Sequence, residues 1–154
     1  MADGVKQAAD PLMIVCPACG AANRVPAARL GQTPRCGRCK APLFTGKPLD
    51  LDAAAFERRM KAESLPLLVD FWASWCGPCR AMAPAFAAAA QALEPHVRLG
   101  KVDTEAEQQI AGRYAIRSIP TMILFAHGRE VARTAGAMDR NAIVGWARRH
   151  VAGC

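Results

Sequence analysis

Six of the seven cysteines in this 154-residue chain fall into three Cys-x-x-Cys pairs: Cys16 with Cys19, Cys36 with Cys39, and Cys76 with Cys79. Two intervening residues let a pair of sulfurs converge on one metal ion or close on each other as a redox couple, so the pairs point to metal or thiol chemistry. An odd cysteine count without an export signal argues against a framework of structural disulfides. The first fifteen residues carry Asp3, Lys6 and Asp10, and the apolar run Leu12-Met13-Ile14-Val15 is too short for a secretory core. No uncharged stretch approaches the roughly 20 residues that span a bilayer. A soluble protein of the reducing cytoplasm is expected, with no membrane partner.

The first two pairs lie in a segment that cannot hold itself together by burial. Between residues 11 and 48 stand Pro11, Pro17, Gly20, Pro26, Gly31, Pro34, Gly37, Pro42, Gly46 and Pro48, and no helical or strand period is expected there. A module of about 46 residues with few large apolar side chains buries too little surface to offset its chain entropy, so a metal should staple it. Sixteen residues separate the two pairs, inside the window of zinc ribbons. Cys16, Cys19, Cys36 and Cys39 are therefore the expected ligands of one Zn2+, structural because four protein ligands leave no open position. Two local disulfides are the alternative. The formal net charge of +7 would fall to +5 with one such tetrathiolate. Arg24, Arg29, Arg35, Arg38 and Lys40 could track phosphates, but Phe44 is the only aromatic before residue 47, so nucleic acid is not expected as a partner. The module is assigned to residues 1–46 and a larger domain to residues 47–154.

From Leu49 the pattern alternates between helix and strand. Asp52 can cap a helix to about Ala62 that buries Phe56 and Met60. Leu67–Phe71, apolar on both faces, reads as a central strand covered by helices. A helix opening near Cys79 runs to Leu93 with Pro84 inside it, followed by a strand over Val97–Val102 and a helix capped by Thr104 to about Tyr114. Strands over Thr121–Phe125 and Glu130–Thr134 flank a His127-Gly128 turn, and Asp139 caps a last helix with Ile143, Trp146 and Ala147 on one face. The expected class is α/β, a mixed central sheet flanked by helices on both faces with an antiparallel closing hairpin.

In that frame Trp75-Cys76-Gly77-Pro78-Cys79 occupies a strand-to-helix junction. A sulfur at a helix N-terminus faces unpaired amides and the positive end of the dipole, which favour thiolate over thiol. At a pKa near 8.5 about 3% of a thiol is ionised at pH 7, and a pKa of ~7 makes about half reactive. Cys76 is expected as the exposed attacking sulfur and Cys79 as the thiol that resolves the mixed disulfide, with Pro78 at home in the first turn. A third metal half-site is the alternative. Asp70, six residues before Cys76, sits among apolar neighbours and should be partly buried with a raised pKa, able to take the proton from Cys79. It reads otherwise as an edge-strand aspartate paired with Lys101. Ile119-Pro120-Thr121 begins a strand, and residues alone leave the proline isomer open.

The run Asp70-Phe71-Trp72-Ala73-Ser74-Trp75-Cys76-Gly77-Pro78-Cys79, with Pro84, Lys101-Val102-Asp103, Ile119-Pro120-Thr121, Gly128 and Gly136, resembles the thioredoxin family over residues 49–150. Two zinc knuckles in front make the whole chain similar to the zinc-ribbon class of that family. The resemblance implies the thioredoxin fold and a protein-disulfide reductase that acts on disulfide-containing protein substrates. An NADPH-dependent flavoprotein, thioredoxin reductase, would recycle it, while the chain itself binds no flavin or nucleotide and works through a reversible Cys76–Cys79 disulfide. Catalytic roles are implied for Cys76, Cys79, Asp70 and Lys101, a cis bond at Pro120, and a substrate-docking surface at Trp75, Gly77, Pro78, Ile119, Pro120 and Gly136. Trp146 is expected to pack the last helix and Cys154 to take no part; a monomer is expected. The Gly-Pro spacer resembles reducing members, at roughly −270 mV against about −120 mV for a strong oxidant. The competing functions are a redox-sensing or holdase module that loses zinc to oxidants, and a disulfide oxidase or isomerase.

Overall fold

The computed structural model describes residues 10–152. The expectations for Cys154 and for the N-terminal charges Asp3 and Lys6 lie outside these residues. In the larger domain, five strands form one sheet: β3 (Leu49–Asp50), β4 (Leu67–Trp72), β5 (Arg98–Asp103), β6 (Thr121–Ala126) and β7 (Arg129–Ala135). Their order across the sheet is β3-β5-β4-β6-β7. β3 and β4 run parallel to β5, while β6 is antiparallel to both β4 and β7.

The alternation of apolar side chains on β4 explains why helices cover both faces. Leu68 packs with Met82, Phe86 and Leu93 of α2 (Gly77–Leu93) and with Ile143, Trp146 and Ala147 of α4 (Arg140–Val151). Trp146 thus packs the last helix, as expected. Leu67, Val69 and Phe71 point the other way, onto Phe56 of α1 (Ala53–Ala62) and Ile110 of α3 (Gln108–Arg113). At the closing hairpin both loop residues take positive φ, His127 at 54° and Gly128 at 75°, the pairing that a two-residue loop needs to follow the strand twist.

Some boundaries move. Asp70 lies on the central strand, not at an edge, with Lys101 its register partner on β5 and Met122 on β6. α2 opens at Gly77, two residues before the expected start, which makes Cys76 its N-cap. α3 begins at Gln108 because Thr104 does not cap it: the Thr104 hydroxyl donates to the Trp72 carbonyl at 3.1 Å, and Asp103 holds a turn by accepting from the Glu105 amide at 2.9 Å.

The N-terminal segment is less irregular than its composition suggests. β1 (Leu12–Val15) and β2 (Ala22–Val25) pair antiparallel, Leu12 opposite Val25. Four-residue strands are too short to register a period, and their burial comes from Leu30, Leu43 and Leu65, distant in sequence. The module is seated on the larger domain by a buried arginine. Arg98 donates through Nη2 to the Val15 carbonyl at 3.2 Å, through Nη1 to the Leu43 carbonyl at 2.9 Å, and to both carboxylate oxygens of Glu63. Glu63 in turn accepts the Val15 amide at 2.9 Å, and Ser64 and Met13 exchange two further hydrogen bonds at 2.8 Å.

Candidate redox centre and metal cluster

β4 delivers the chain to the redox pair and α2 carries it away. Cys76 donates its amide to the Ala73 carbonyl at 3.1 Å, tightening the junction, and its Sγ accepts the Cys79 amide at 3.2 Å. The sulfur therefore stands where a serine or aspartate oxygen caps other helices, facing the positive end of the dipole. Cys76 and Cys79 are joined as a disulfide. The same Sγ lies 3.7 Å from the Ile119 carbonyl oxygen, the Ile119–Pro120 peptide is cis, and the Pro120 carbonyl accepts the Gly136 amide at 2.9 Å. Cys76, Cys79, Ile119, Pro120 and Gly136, scattered over sixty residues of sequence, are thus brought to one place.

Cys76 is not the exposed sulfur expected from sequence. In this oxidised state Cys76 is 4% and Cys79 2% accessible. The Cys76 sulfur is folded back over the helix amide and against the Ile119 carbonyl, so the backbone covers it. The surface around it is supplied by Trp75, 65% exposed, and by exposed Gly77 and Pro78.

Asp70 is 1% exposed, and neither carboxylate oxygen has a hydrogen-bond partner. Burial pushes its pKa up to about 6, against the opposing pull of the Lys101 charge. Lys101 does not close an ion pair with it; the ammonium sits 4.6 Å from the centre of the Trp72 ring. A carboxyl with this affinity for a proton can exchange one near neutral pH.

The four N-terminal cysteines converge as well. Their sulfurs all lie within 4.8 Å of one another, with Cys16 and Cys39 at 3.6 Å and Cys19 and Cys36 at 3.6 Å. A tetrahedron of about 2.3 Å Zn–S bonds has edges near 3.8 Å, so the donor set fits one zinc ion. None of the four is in a disulfide, which sets aside the two local disulfides. Amides support the sulfurs as they would a thiolate: Ala18 donates to Cys16 at 3.3 Å and Arg38 to Cys36 at 3.3 Å. The Cys39 amide, with the Asn23 and Arg38 donors, draws the Cys36 thiol down to about 6. Cys39 rises to about 11 despite the Ala41 amide that lowers it, because burial and the neighbouring sulfurs oppose another negative charge. A divalent cation removes that conflict. Sequence reasoning missed Asn23, whose Nδ2 donates to Cys36 at 3.5 Å while its Oδ1 accepts the Gly37 amide at 2.8 Å. An asparagine amid turn residues was the available signal.

Known proteins share both parts of this architecture. The family model described as Thioredoxin matches residues 47–149, and the one described as Thioredoxin 2, N-terminal, matches residues 15–41. Thioredoxin C-3 of Corynebacterium nephridii is 42% identical over 135 residues, covering 88% of this chain and 92% of its own length. Thioredoxin 1 of Synechococcus elongatus is 39% identical over 98 residues, covering 64% of this chain and 92% of its own. Among solved structures, a thioredoxin of Malassezia sympodialis superposes with a TM-score of 0.63 at 28% identity, covering 70% of this chain and 93% of that one. A thioredoxin mutant from Halobacterium salinarum gives 0.62 at 27% identity, with the same two coverages. The chain belongs to the thioredoxin family of protein-disulfide reductases.

Proposed function

We propose that the chain reduces protein disulfides through Cys76 and Cys79, with residues 1–46 forming a module held by one structural Zn2+ and residues 47–154 forming the redox domain. The observation that carries this reading is the Cys76 sulfur at the N-cap of α2, 3.2 Å from an amide that stabilises it as thiolate. In the reduced protein the Cys76 thiolate attacks a client disulfide. A bond forms between Cys76 and one client sulfur, and the other client sulfur leaves as thiolate. Asp70 takes the proton of Cys79, whose thiolate attacks the Cys76 sulfur and displaces the reduced client. Two electrons have passed to the client, and thioredoxin reductase returns them from NADPH.

Lys101 tempers the proton affinity of Asp70. Trp75, Gly77, Pro78 and Gly136 present the docking surface beside Pro120, with the Ile119 backbone pairing an extended client segment. Cys16, Cys19, Cys36 and Cys39 hold the zinc, which supplies stability and takes no part in exchange. Among the described residues no helix is long and apolar enough to cross a membrane. Four cysteines kept as thiols suit a reducing compartment, and the cytoplasm is the proposed location of a monomeric protein. With thioredoxin reductase and NADPH the protein is expected to reduce insulin, and Cys76→Ser to abolish turnover; turnover retained in that variant contradicts the reading.

One observation favours a second, sensing role: Cys19 and Cys39 are exposed while Cys16 and Cys36 are buried, so half of the ligand set meets oxidants. A peroxide titration that follows zinc release together with insulin reduction tests it. Zinc loss that changes activity or partners supports sensing, and zinc loss that changes neither leaves the ion structural.

A further inference from the structure

The N-terminal module carries a concentration of positive charge that neither the metal nor the redox chemistry uses. Between Val15 and Gly46 the sequence contains no Asp or Glu. Arg24, Arg29 and Arg35 line one open cleft of about 180 Å3, formed by the end of β2, the short helical turn Ala27–Arg29 and the loop leading to Cys36. Gln32, Val25, Pro26 and Pro34 complete the wall. Two exposed arginines outside the cleft are neutralised, Arg113 by Glu57 and Arg133 by Glu130; what sets the cleft apart is that three unpaired arginines line one hollow. None of the ion pairs among the described residues involves a cleft arginine, and Arg35 alone is engaged, donating to the Lys40 carbonyl at 3.0 Å. Asp10 accepts the Ala27 amide at 2.9 Å at the start of that turn but forms no ion pair with the three arginines, and like charges around one hollow repel each other unless an anion joins them.

The size and chemistry of the hollow narrow the anion. Pockets that enclose a whole cofactor run to about 300–1,000 Å3, so this one takes the side groups of a longer molecule. No aromatic residue lines it, and the Phe44 ring is covered by the Arg98 guanidinium at 4.7 Å, so bases find nothing to stack on. Guanidinium forks match carboxylates, and the proline and valine wall suits the methylenes of glutamate.

We propose that this cleft binds an acidic segment of a protein partner, a run of Glu or Asp side chains held by Arg24, Arg29 and Arg35. The site is separate from the redox pair. Leu30, next to Arg29, lines a seam with Leu65 and Pro66 just before β4, whereas Cys76 follows the far end of that strand. A six-residue strand of about 20 Å lies between that seam and the redox pair.

Fluorescence anisotropy of a labelled octaglutamate peptide against the full-length, zinc-loaded protein tests this at about 20 mM and 150 mM salt. Binding is expected at low salt and should weaken by about tenfold or more in Arg24→Gln/Arg29→Gln, because two charge-assisted contacts are lost. Arg140→Gln/Arg149→Gln removes the same charge from α4 and should stay within about twofold of the parent. Both variants should keep one zinc per chain and full insulin reduction, which excludes unfolding as the cause. Arg24→Glu/Arg29→Glu should acquire affinity for octalysine instead. Equal losses in the two glutamine variants, no peptide binding at low salt, an oligonucleotide of equal charge that binds more tightly through the same arginines, or displacement by inorganic phosphate at the peptide's own concentration would each overturn the proposal.

Discussion

At the Cys76 sulfur a backbone amide points inward from 3.2 Å, whereas the Asp70 carboxylate, buried on β4, receives no donor at all. One environment favours the anion and the other opposes it, the difference that the proposed nucleophile and proton acceptor require. For Asp70 the consequence is measurable. Its folded pKa of about 6 lies above the ordinary 3.8, so the protonated form is favoured on folding. The associated stability is complete below pH 4 and is lost as pH rises through 6, an effect of about 3 kcal/mol. Asp70→Asn should therefore stabilise the protein by about that amount at pH 7.5 and flatten the profile between pH 4 and pH 7 in urea unfolding, while slowing insulin reduction about tenfold or more. Parallel pH profiles for the two proteins would contradict it. The burial of Asp70 was legible from its apolar neighbours; its missing donors were not, because they depend on where Lys101 directs its ammonium, over Trp72.

The helices were legible where one residue sets the start without competition. Asp52 accepts the Ala55 amide at 2.8 Å and Asp139 the Ala142 amide at 2.8 Å, each where a cap was expected. Asp139→Ala should lower stability by about 1 kcal/mol in thermal or urea unfolding, and no change would mean that the cap contributes nothing. Before α3 two candidates stand side by side. Asp103 bonds the turn amides while Thr104 bonds Trp72 across the sheet, so neither is left to open the helix. Thr104→Val should accordingly cost about 1 kcal/mol for the lost hydrogen bond with the helical circular dichroism unchanged. β1 and β2 escaped notice for another reason: β1 is held by residues distant in sequence, Ser64 at Met13 and Glu63 at Val15, next to the cluster residue Cys16.

Across the whole molecule, Arg98 joins what sequence reading divided. It is fully buried, and its partners Glu63, Leu43 and Val15 lie 35, 55 and 83 residues away, so no local pattern announces them. The carbonyls it holds belong to the cysteine-rich N-terminal segment and the carboxylate to the part of the chain that carries the redox pair, which makes the seam a single buried network with Glu94 beside it at 3.7 Å. Arg98→Met should destabilise by about 3–5 kcal/mol in urea, because it strands buried carboxylates. Stripping the metal should lower the melting temperature of the redox domain as well as expose four more thiols to titration, and an unchanged melt would show the two parts to be uncoupled. The proposed chemistry rests on one reactive sulfur, that of Cys76. The most direct test of that sulfur uses the Cys79→Ser variant, which cannot release a captured client, followed by mass spectrometry of the trapped mixed disulfides. Adducts should be bridged through Cys76 and vanish in Cys76→Ser/Cys79→Ser; clients bridged instead through Cys16, Cys19, Cys36 or Cys39 would contradict the assignment.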